Sequence, residues 1–482
     1  MSLPRLSDRA LAQAENAHWR PPYDRGAAEI GIAHLGPGAF HRAHQAPVFD
    51  QLLARDPRWA VSAIALRSDS VRSALAPQDG LYSLVELDVQ VRVRIVGALR
   101  ELITAAADPA AAIGRLAHPK TRLVTLTITE KGYCLDADGR LDTAHPDVAF
   151  DLRGPRAPRS APGWLAAGLR ARKAAAAGGL TIASCDNLAG NGARLRAAVI
   201  DLVRAQGDRD LAAWIEDQVR FPASMVDSIT PATDDALKAR VSALTGLDDA
   251  WPIQREAFTQ WVIEDELGAD GAALASAGVE VVRDVRPYEQ AKLRLLNGAH
   301  STLAYLGGLI GHTTVADAMA DAQLAGFVER LMRRDIAPTL RRGGPDTDAY
   351  IDAILTRFRN PAIAHQLAQI AWDGSQKLPV RVLGTIADAL AAGRGAQRLA
   401  VPVAAWMLYA ARCAVSSETL VDPLAPAIAA IAVAPETAQV DRFLELTAVF
   451  PTALARDRRF TDAVRTAHAE LAAGRFAEAL AL

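Results

Sequence analysis

Over roughly the first 285 residues the apolar positions fall in short, unbroken blocks. "EIGIAHL", "WAVSAIAL", "VRVRIVGAL", "RLVTLTIT", "GLTIASC" and "VEVVRDV" are such blocks, each bounded by Gly, Pro or polar residues. Blocks of this kind predict strands buried on both faces. Between them lie stretches with helical periodicity, such as "DPAAAIGRL" and "GARLRAAVIDLVRAQ". Strand and helix in alternation argue for a mostly parallel sheet with helices on both faces. Past about residue 285 the strand blocks stop, and an Ala/Leu-rich helical pattern continues, broken by "RRGGPD", "RNP" and "SSETLVDPLAP". The pattern predicts an α/β domain over 1–284 and an all-helical domain over 285–482. A polar, Pro-rich segment at 136–162 interrupts the first domain; it reads either as an insertion beside a site or as a surface excursion. Trp261 and Trp372 are expected in the core.

Composition narrows the function classes. The 482 residues are too many for one core, which agrees with two domains. Lys and Arg number 53 against 55 Asp and Glu, a net charge of −2, so nothing global points to nucleic acid or to an anionic membrane surface. No run of about 18 apolar residues appears, and the N-terminus lacks the apolar core of a signal peptide. Cys134, Cys185 and Cys413 have neither disulfide nor zinc spacing, which suits a reducing, cytoplasmic setting.

The first block ends in Gly36-Pro37-Gly38, and a helical pattern follows, so the N-terminus reads as a βαβ unit. Gly36 and Gly38 would let the main chain approach a pyrophosphate. The third glycine of G-x-G-x-x-G is absent, with His41 in its place, so a plain tight turn is the competing reading. Pro47 would kink a helix begun at Gly38, and predicts that the regular helix starts close to it. His41 and His44, three apart, have no further ligand motif nearby; packing or hydrogen bonding is the expected role, and no metal is expected. Arg67-Ser68-Asp69 follows the second block. An acidic residue there would bond a ribose 2′-hydroxyl and bias the chain towards NAD, with Arg67 leaving some room for the 2′-phosphate of NADP. Both residue types are present, so the choice stays open.

The helical domain opens with "KLRLLNGAHSTLAYLGGLIGH", residues 292–312. On a regular helix Glu289 falls near 60° from Lys292, His300 near 80° and Asn297 near 140°, within one arc of about 140°. A lysine among leucines either snorkels to water or is held in a drier pocket. In the drier pocket its ammonium is disfavoured, and the neutral amine becomes a competent general base. An asparagine beside it can donate to an alkoxide, a neutral histidine can orient a hydroxyl, and a glutamate can pass a proton to water. With a dinucleotide fold, this equips the chain for metal-independent hydride transfer from a secondary alcohol.

"LGPGAFHRAHQA", "QDGLYSLVE", "TLTITEKGYCLD", "SCDNLAGNG", "SMVDSITP", "FTQWVIED", "KLRLLNGAHSTLAYLG" and "DGSQKLP" together resemble the ordered signature segments of the polyol-specific long-chain dehydrogenases. The resemblance spans almost the whole chain. It implies an N-terminal Rossmann-type dinucleotide-binding domain, whose glycine turn (Gly36, Gly38, Ala39, Phe40) and Arg67 and Asp69 would serve NAD, with NADP open. It implies roles residue by residue: Lys292 as general acid/base, Asn297 and Asn187 as the oxyanion pair, His300 on the substrate, and Glu289 gating a proton path. Val226 and Asp227 would be substrate-side contacts, and Lys377 a cation touching the substrate. For Asn187 the alignment could slip to Asn191. Pro37, Ala39 and Pro47 depart from the pattern.

The implied partner is a small sugar acid or polyol, and the implied state a monomer or small homo-oligomer. Mannitol, arabinitol, mannonate and altronate differ by a stereocentre or a terminal carboxylate. The stretch "ALRSDSVRSALAPQDGLYSLV" leans towards the branch that acts on mannonate. A dinucleotide sensor without chemistry is the reading from another class. It leaves Lys292, Asn297, His300 and Glu289 without a purpose.

Overall fold

A computed structural model describes residues 3–13, 19–88, 90–416 and 420–482. The chain forms two compact units, Met1–Val285 and Arg286–Leu482.

The first unit is built on a six-stranded parallel sheet. Its strands are β1 (Ile30–Leu35), β2 (Ala60–Ala65), β3 (Leu99–Thr104), β4 (Leu123–Leu126), β5 (Leu180–Ser184) and β6 (Val219–Arg220). They lie in the order β3-β2-β1-β4-β5-β6, and every neighbouring pair is parallel. This is the doubly wound dinucleotide-binding order, which reverses direction at β1. The strands are unbroken apolar blocks because helices cover both faces. Ile32, Leu123 and Ala183 face one core with Phe49 and Trp59, while Leu35, Val124 and Ile182 face another with Trp164 and Leu165.

Two smaller sheets depart from the pattern reading. The block "VRVRIVGAL" divides in two. Arg92–Val96 pairs antiparallel with Tyr82–Leu87, and β3 starts afresh at Leu99. Gly97 stands at the division; its N–H donates to Asp50 Oδ1 at 2.7 Å, and a Cβ there would meet Arg25 Cδ at 2.8 Å. "VEVVRDV" also stays out of the main sheet: Glu280–Val282 pairs with Gln260–Glu264, which pairs antiparallel with Ser224–Asp227. Trp261 is buried as expected, but Trp372 is 44% exposed and is not a core residue.

The second unit is helical, with no named strand among its described residues. Its first element is a composite rod. Helix α1 (Arg286–Ala291) runs into a π turn at Lys292–Asn297, and α2 (Gly298–Ile310) continues from it. Helix α2 packs against α3 (Gln397–Val415), a long, largely buried helix. Among the described residues α3 alone has the length and apolarity to cross a membrane, and 72% of its apolar window is buried.

Candidate functional site

In the first unit, β1 delivers the chain into the glycine turn. Gly36 has φ +84°, and a Cβ on it would lie 2.3 Å from the Thr127 carbonyl oxygen. Both the backbone angle and the close approach to β4's continuation exclude a side chain. At Gly38 a Cβ would meet nothing nearer than Gly36 O at 3.9 Å, so this glycine leaves the space in front of it open. A short helix (Ala39–Ala43) follows and breaks at His44; the regular helix Gln45–Leu53 then carries Pro47 in its first turn, where a missing N–H is tolerated.

Around this turn lies a cavity of about 700 Å³, at the C-terminal ends of β1, β2 and β4. That is the switch point at which open α/β sheets take their ligands. Gly36, Gly38, Arg67, Ser68, Ser70 and Thr129 line it, and so do His145, Asp147, Arg159 and Ser160 of the 136–162 segment. That segment is therefore beside a site. Its short helix Pro146–Asp151 is tied down by the buried Asp151 carboxylate, which accepts from Arg159 N–H at 2.8 Å and from Ser160 N–H and Oγ–H at 2.9 and 2.6 Å.

The other expected cofactor residues fall differently. Ala39 and Phe40 are half-buried and outside the lining; Phe40 stacks on His44 with centroids 4.9 Å apart. Asp69 is also outside it. Its Oδ2 accepts from Ser73 Oγ–H at 2.6 Å, its Oδ1 accepts from Thr104 Oγ1–H, and Arg72 lies 3.6 Å away. His41 stacks on His34 with centroids 3.3 Å apart, and the His44 Nε2–H donates to Gln260 O at 2.9 Å.

The loop after β4 is strained where it lines the cavity. Thr129 has φ +67° and ψ 160°, a region that β-branched residues avoid, at a cost of about 1–3 kcal/mol. The Asp186 carboxylate holds it there, accepting from Thr129 N–H at 2.8 Å and from the Tyr133 hydroxyl at 2.8 Å. Burial pushes the Asp186 carboxyl up, and the Tyr133 hydroxyl and the amides of Thr129 and Ile128 pull it back. Asn187, next in sequence, is exposed. Asn191 is fully buried, and its carboxamide is taken by the backbone: Nδ2 donates to Asp186 O (3.0 Å) and Ser224 O (2.8 Å), and Oδ1 accepts from Ser224 N–H (3.0 Å). With both amide protons bonded to main-chain carbonyls, Asn191 has none left for a substrate. Val226 packs its side chain into the core with Trp261, and Asp227 is buried on the same strand.

In the second unit Lys292 begins the π turn and Asn297 ends it. Lys292 is 9% exposed, Asn297 and Glu289 are half-buried, and His300 sits one turn further on at 8%. A regular helical wheel does not describe this stretch. Gly298 N–H reaches back to Leu293 O, so the phase between Lys292 and His300 differs from that of an α-helix. Two braces surround the turn. Arg294 donates to Thr339 O (3.1 Å) and Oγ1 (3.0 Å) and to Asp388 (2.5 Å). Gly298 brings the rod close to a second π turn, Pro379–Leu383; a Cβ on it would meet Arg381 O at 3.2 Å.

His300 is held by rings: Phe358 lies 4.4 Å away and His365 stands edge-on at 5.3 Å. Its Nε2 has no hydrogen-bond partner among the described residues. Burial holds the imidazole well below the usual histidine range, and His365, Arg357 and Arg381 act in the same direction. Lys377 is half-buried on the helix Gly374–Leu378 and donates to Ile370 O at 3.3 Å. Burial and then Arg381 lower its pKa. Arg381 donates to Ser301 Oγ at 3.0 Å. His300, His365, Lys377 and Arg381 thus form one group of imidazoles and cations. His365 and Arg381 were not singled out in the sequence. Arg381 could have been found as the i+4 neighbour of Lys377; His365 carried no signal.

Comparison with known proteins gives this arrangement a family. Residues 30–274 match the mannitol dehydrogenase Rossmann domain, and residues 284–472 match the mannitol dehydrogenase C-terminal domain. The uncharacterized oxidoreductase YeiQ of Escherichia coli (strain K12) is 40% identical over 93% of this chain and 93% of its own length. D-mannonate oxidoreductase of the same organism is 38% identical over 94% of this chain and 95% of its own. The structure of Pseudomonas fluorescens mannitol 2-dehydrogenase, a ternary complex with NAD and D-mannitol, superposes with a TM-score of 0.82 at 36% identity, covering 99% of this chain and 98% of that one. Matched in both domains and along nearly its whole length, the chain belongs to the mannitol dehydrogenase family and is an oxidoreductase of polyols or sugar acids.

Proposed function

We propose that the chain is an NAD-dependent dehydrogenase of an open-chain sugar acid, with D-mannonate and D-fructuronate as the first-choice pair. The dinucleotide fits the first unit: a parallel sheet presents Gly36 and Gly38 to a cavity at its switch point, and a Cβ at Gly36 would close the turn. NAD, when bound, supplies the acceptor for the hydride that leaves the alcohol carbon.

The chain's own residues handle the rest. Lys292 takes the hydroxyl proton during oxidation and returns it during reduction. Lys292 is buried on the rod and is not a solvated surface lysine. Asn297 and Asn187 donate to the oxygen as negative charge develops on it. His300, kept neutral by burial and with Nε2 unsatisfied among the described residues, binds a neighbouring hydroxyl. Glu289, one turn before Lys292, relays the proton to solvent. Val226 and Asp227 are proposed as substrate-side contacts, Val226 through its main chain.

The observation that carries the choice of a sugar acid is the group around His300. His365 stands edge-on to His300, Arg381 acts on the same imidazole, and Lys377 neighbours both His365 and Arg381; a carboxylate answers such a group better than a hydroxyl does. A neutral polyol such as mannitol is the second reading, favoured by the likeness to a mannitol 2-dehydrogenase. NADH oxidation with fructuronate and with fructose, and the reverse reaction with mannonate and mannitol, separates the two. A kcat/KM for fructuronate above that for fructose is expected; the opposite order selects the polyol, and no turnover with either passes the test to arabinitol and altronate, with the sensor left only when these fail too.

A further inference from the structure

The end of β2 is where this cavity would meet the adenosine ribose, and the residue after it that the pattern favours, Asp69, does not face the cavity. Both its carboxylate oxygens are engaged by Thr104, Ser73 and Arg72. The carboxylate that does line the cavity is Asp147, which comes from the 136–162 segment and forms an ion pair with Arg67. We propose that Asp147 is the specificity-determining residue that makes the pocket refuse a 2′-phosphate, by holding Arg67 and opposing a second anion beside it. This rests on the dinucleotide reading of the first unit.

The pair has little structural purpose. The Arg67 side chain is 71% exposed and that of Asp147 19%, and a pair open to water on one side adds little to stability. The segment has its own anchors in Asp151, in the buried Val148 and in the stacking of Arg159 on Phe150 at 3.8 Å. Removing the Asp147 charge should therefore leave the segment in place.

The chemistry of the pair matches a hydroxyl. A ribose 2′-hydroxyl both donates and accepts, so it can give its proton to Asp147 and accept from Arg67. A 2′-phosphate at neutral pH is mainly an acceptor and carries nearly two negative charges. It would compete with Asp147 for the same guanidinium and meet a carboxylate a few ångströms away. With Asp147 neutral, Arg67, Ser68 and Ser70 become a set of donors suited to that phosphate.

The test is direct binding of NADH and NADPH, followed by fluorescence, and of adenosine 2′,5′-bisphosphate against 5′-AMP, followed by calorimetry. The proteins are wild type, Asp147→Asn, Asp147→Glu, Asp69→Ala and the double variant Arg67→Ala/Asp147→Asn, each checked by thermal melting. In Asp147→Asn the ratio Kd(NADPH)/Kd(NADH) is expected to fall on the order of tenfold or more, with the gain reduced by added salt. Preference for the bisphosphate should rise in parallel. Asp147→Glu should keep the wild-type ratio, and Arg67→Ala in the Asp147→Asn background should abolish the gain. An unchanged ratio in a folded Asp147→Asn, or a large change in Asp69→Ala instead, overturns the assignment. A wild type that binds neither dinucleotide overturns the dinucleotide reading itself, and this one with it.

Discussion

At the cavity of the first unit the main chain does most of the approaching. Gly36 and Gly38 bare the backbone, Thr129 is held in an unfavourable conformation, and side chains such as Asp186 and Asn191 hold the loops in place. In the second unit the arrangement is reversed. Lys292, Asn297 and His300 project from a braced helical rod, and the backbone serves only to set their phase. A sheet edge offers loops that can be shaped around a ligand, whereas a helix offers side chains at fixed spacing. The first suits binding and the second suits proton transfer. Damage to the two units should therefore separate into loss of affinity and loss of turnover.

The largest effect is expected from Lys292→Ala. General acid–base catalysis is worth about 10²–10⁴-fold, so kcat should fall by that factor while NADH binding stays near wild type. Steady-state kinetics together with a fluorescence titration check both halves; a variant with near wild-type turnover ends the assignment.

Gly36→Ala is the converse. A Cβ 2.3 Å from Thr127 O, added at φ +84°, costs about 1–3 kcal/mol locally. NADH affinity should weaken by roughly 5- to 150-fold, with kcat at saturating NADH close to wild type. If kcat drops and affinity does not, the separation between the units fails.

These two positions were legible in the sequence for the same reason: each belongs to a pattern contained in a short window. Buried parallel strands also read well, because coverage on both faces turns them into apolar blocks. What escaped depends on distant partners. The π turn at Lys292–Asn297 leaves no local mark; Arg294 is anchored by Thr339 and Asp388, and Gly298 is packed against Arg381. Which acid faces the cavity was equally hidden, since Asp69 is engaged by Thr104, 35 residues on, and Arg67 by Asp147, 80 residues on. The bonds from Asn191 to Asp186 and to Ser224, 33 residues on, were hidden in the same way.

Within the second unit the comparison sharpens to substrate. On the proposed reading, Lys377→Met takes one charge-assisted hydrogen bond from a bound carboxylate, worth about 1.5–3 kcal/mol. The kcat/KM for fructuronate should fall roughly 10- to 150-fold, and that for fructose by much less. An equal loss on both substrates would remove Lys377 from carboxylate recognition.

The smallest effect at neutral pH belongs to the first unit's buried histidines. Burial takes His34 down to about 3 and His41 well below the ordinary 6.5. Both stay neutral when folded and gain a proton when unfolded. Their contribution is thus complete above pH 6.5 and is lost as the pH falls below it, for His34 down to about 3, by up to about 1.4 kcal/mol per pH unit for each. Urea unfolding at pH 7 and pH 5 should show the loss, and His34→Gln should make it shallower; identical pH dependence in the two proteins would contradict this.

The division of labour rests above all on the amine of Lys292, and chemical rescue tests it most directly. Methylamine, ethylamine and weaker primary amines are added to Lys292→Ala, and hydride transfer is followed in single turnovers with NADH binding measured on the same sample. The expected result is a saturable recovery of rate that tracks the basicity of the amine, at an NADH affinity that does not move. A variant that no amine revives, although it binds NADH as wild type does, would mean that the proton is carried elsewhere.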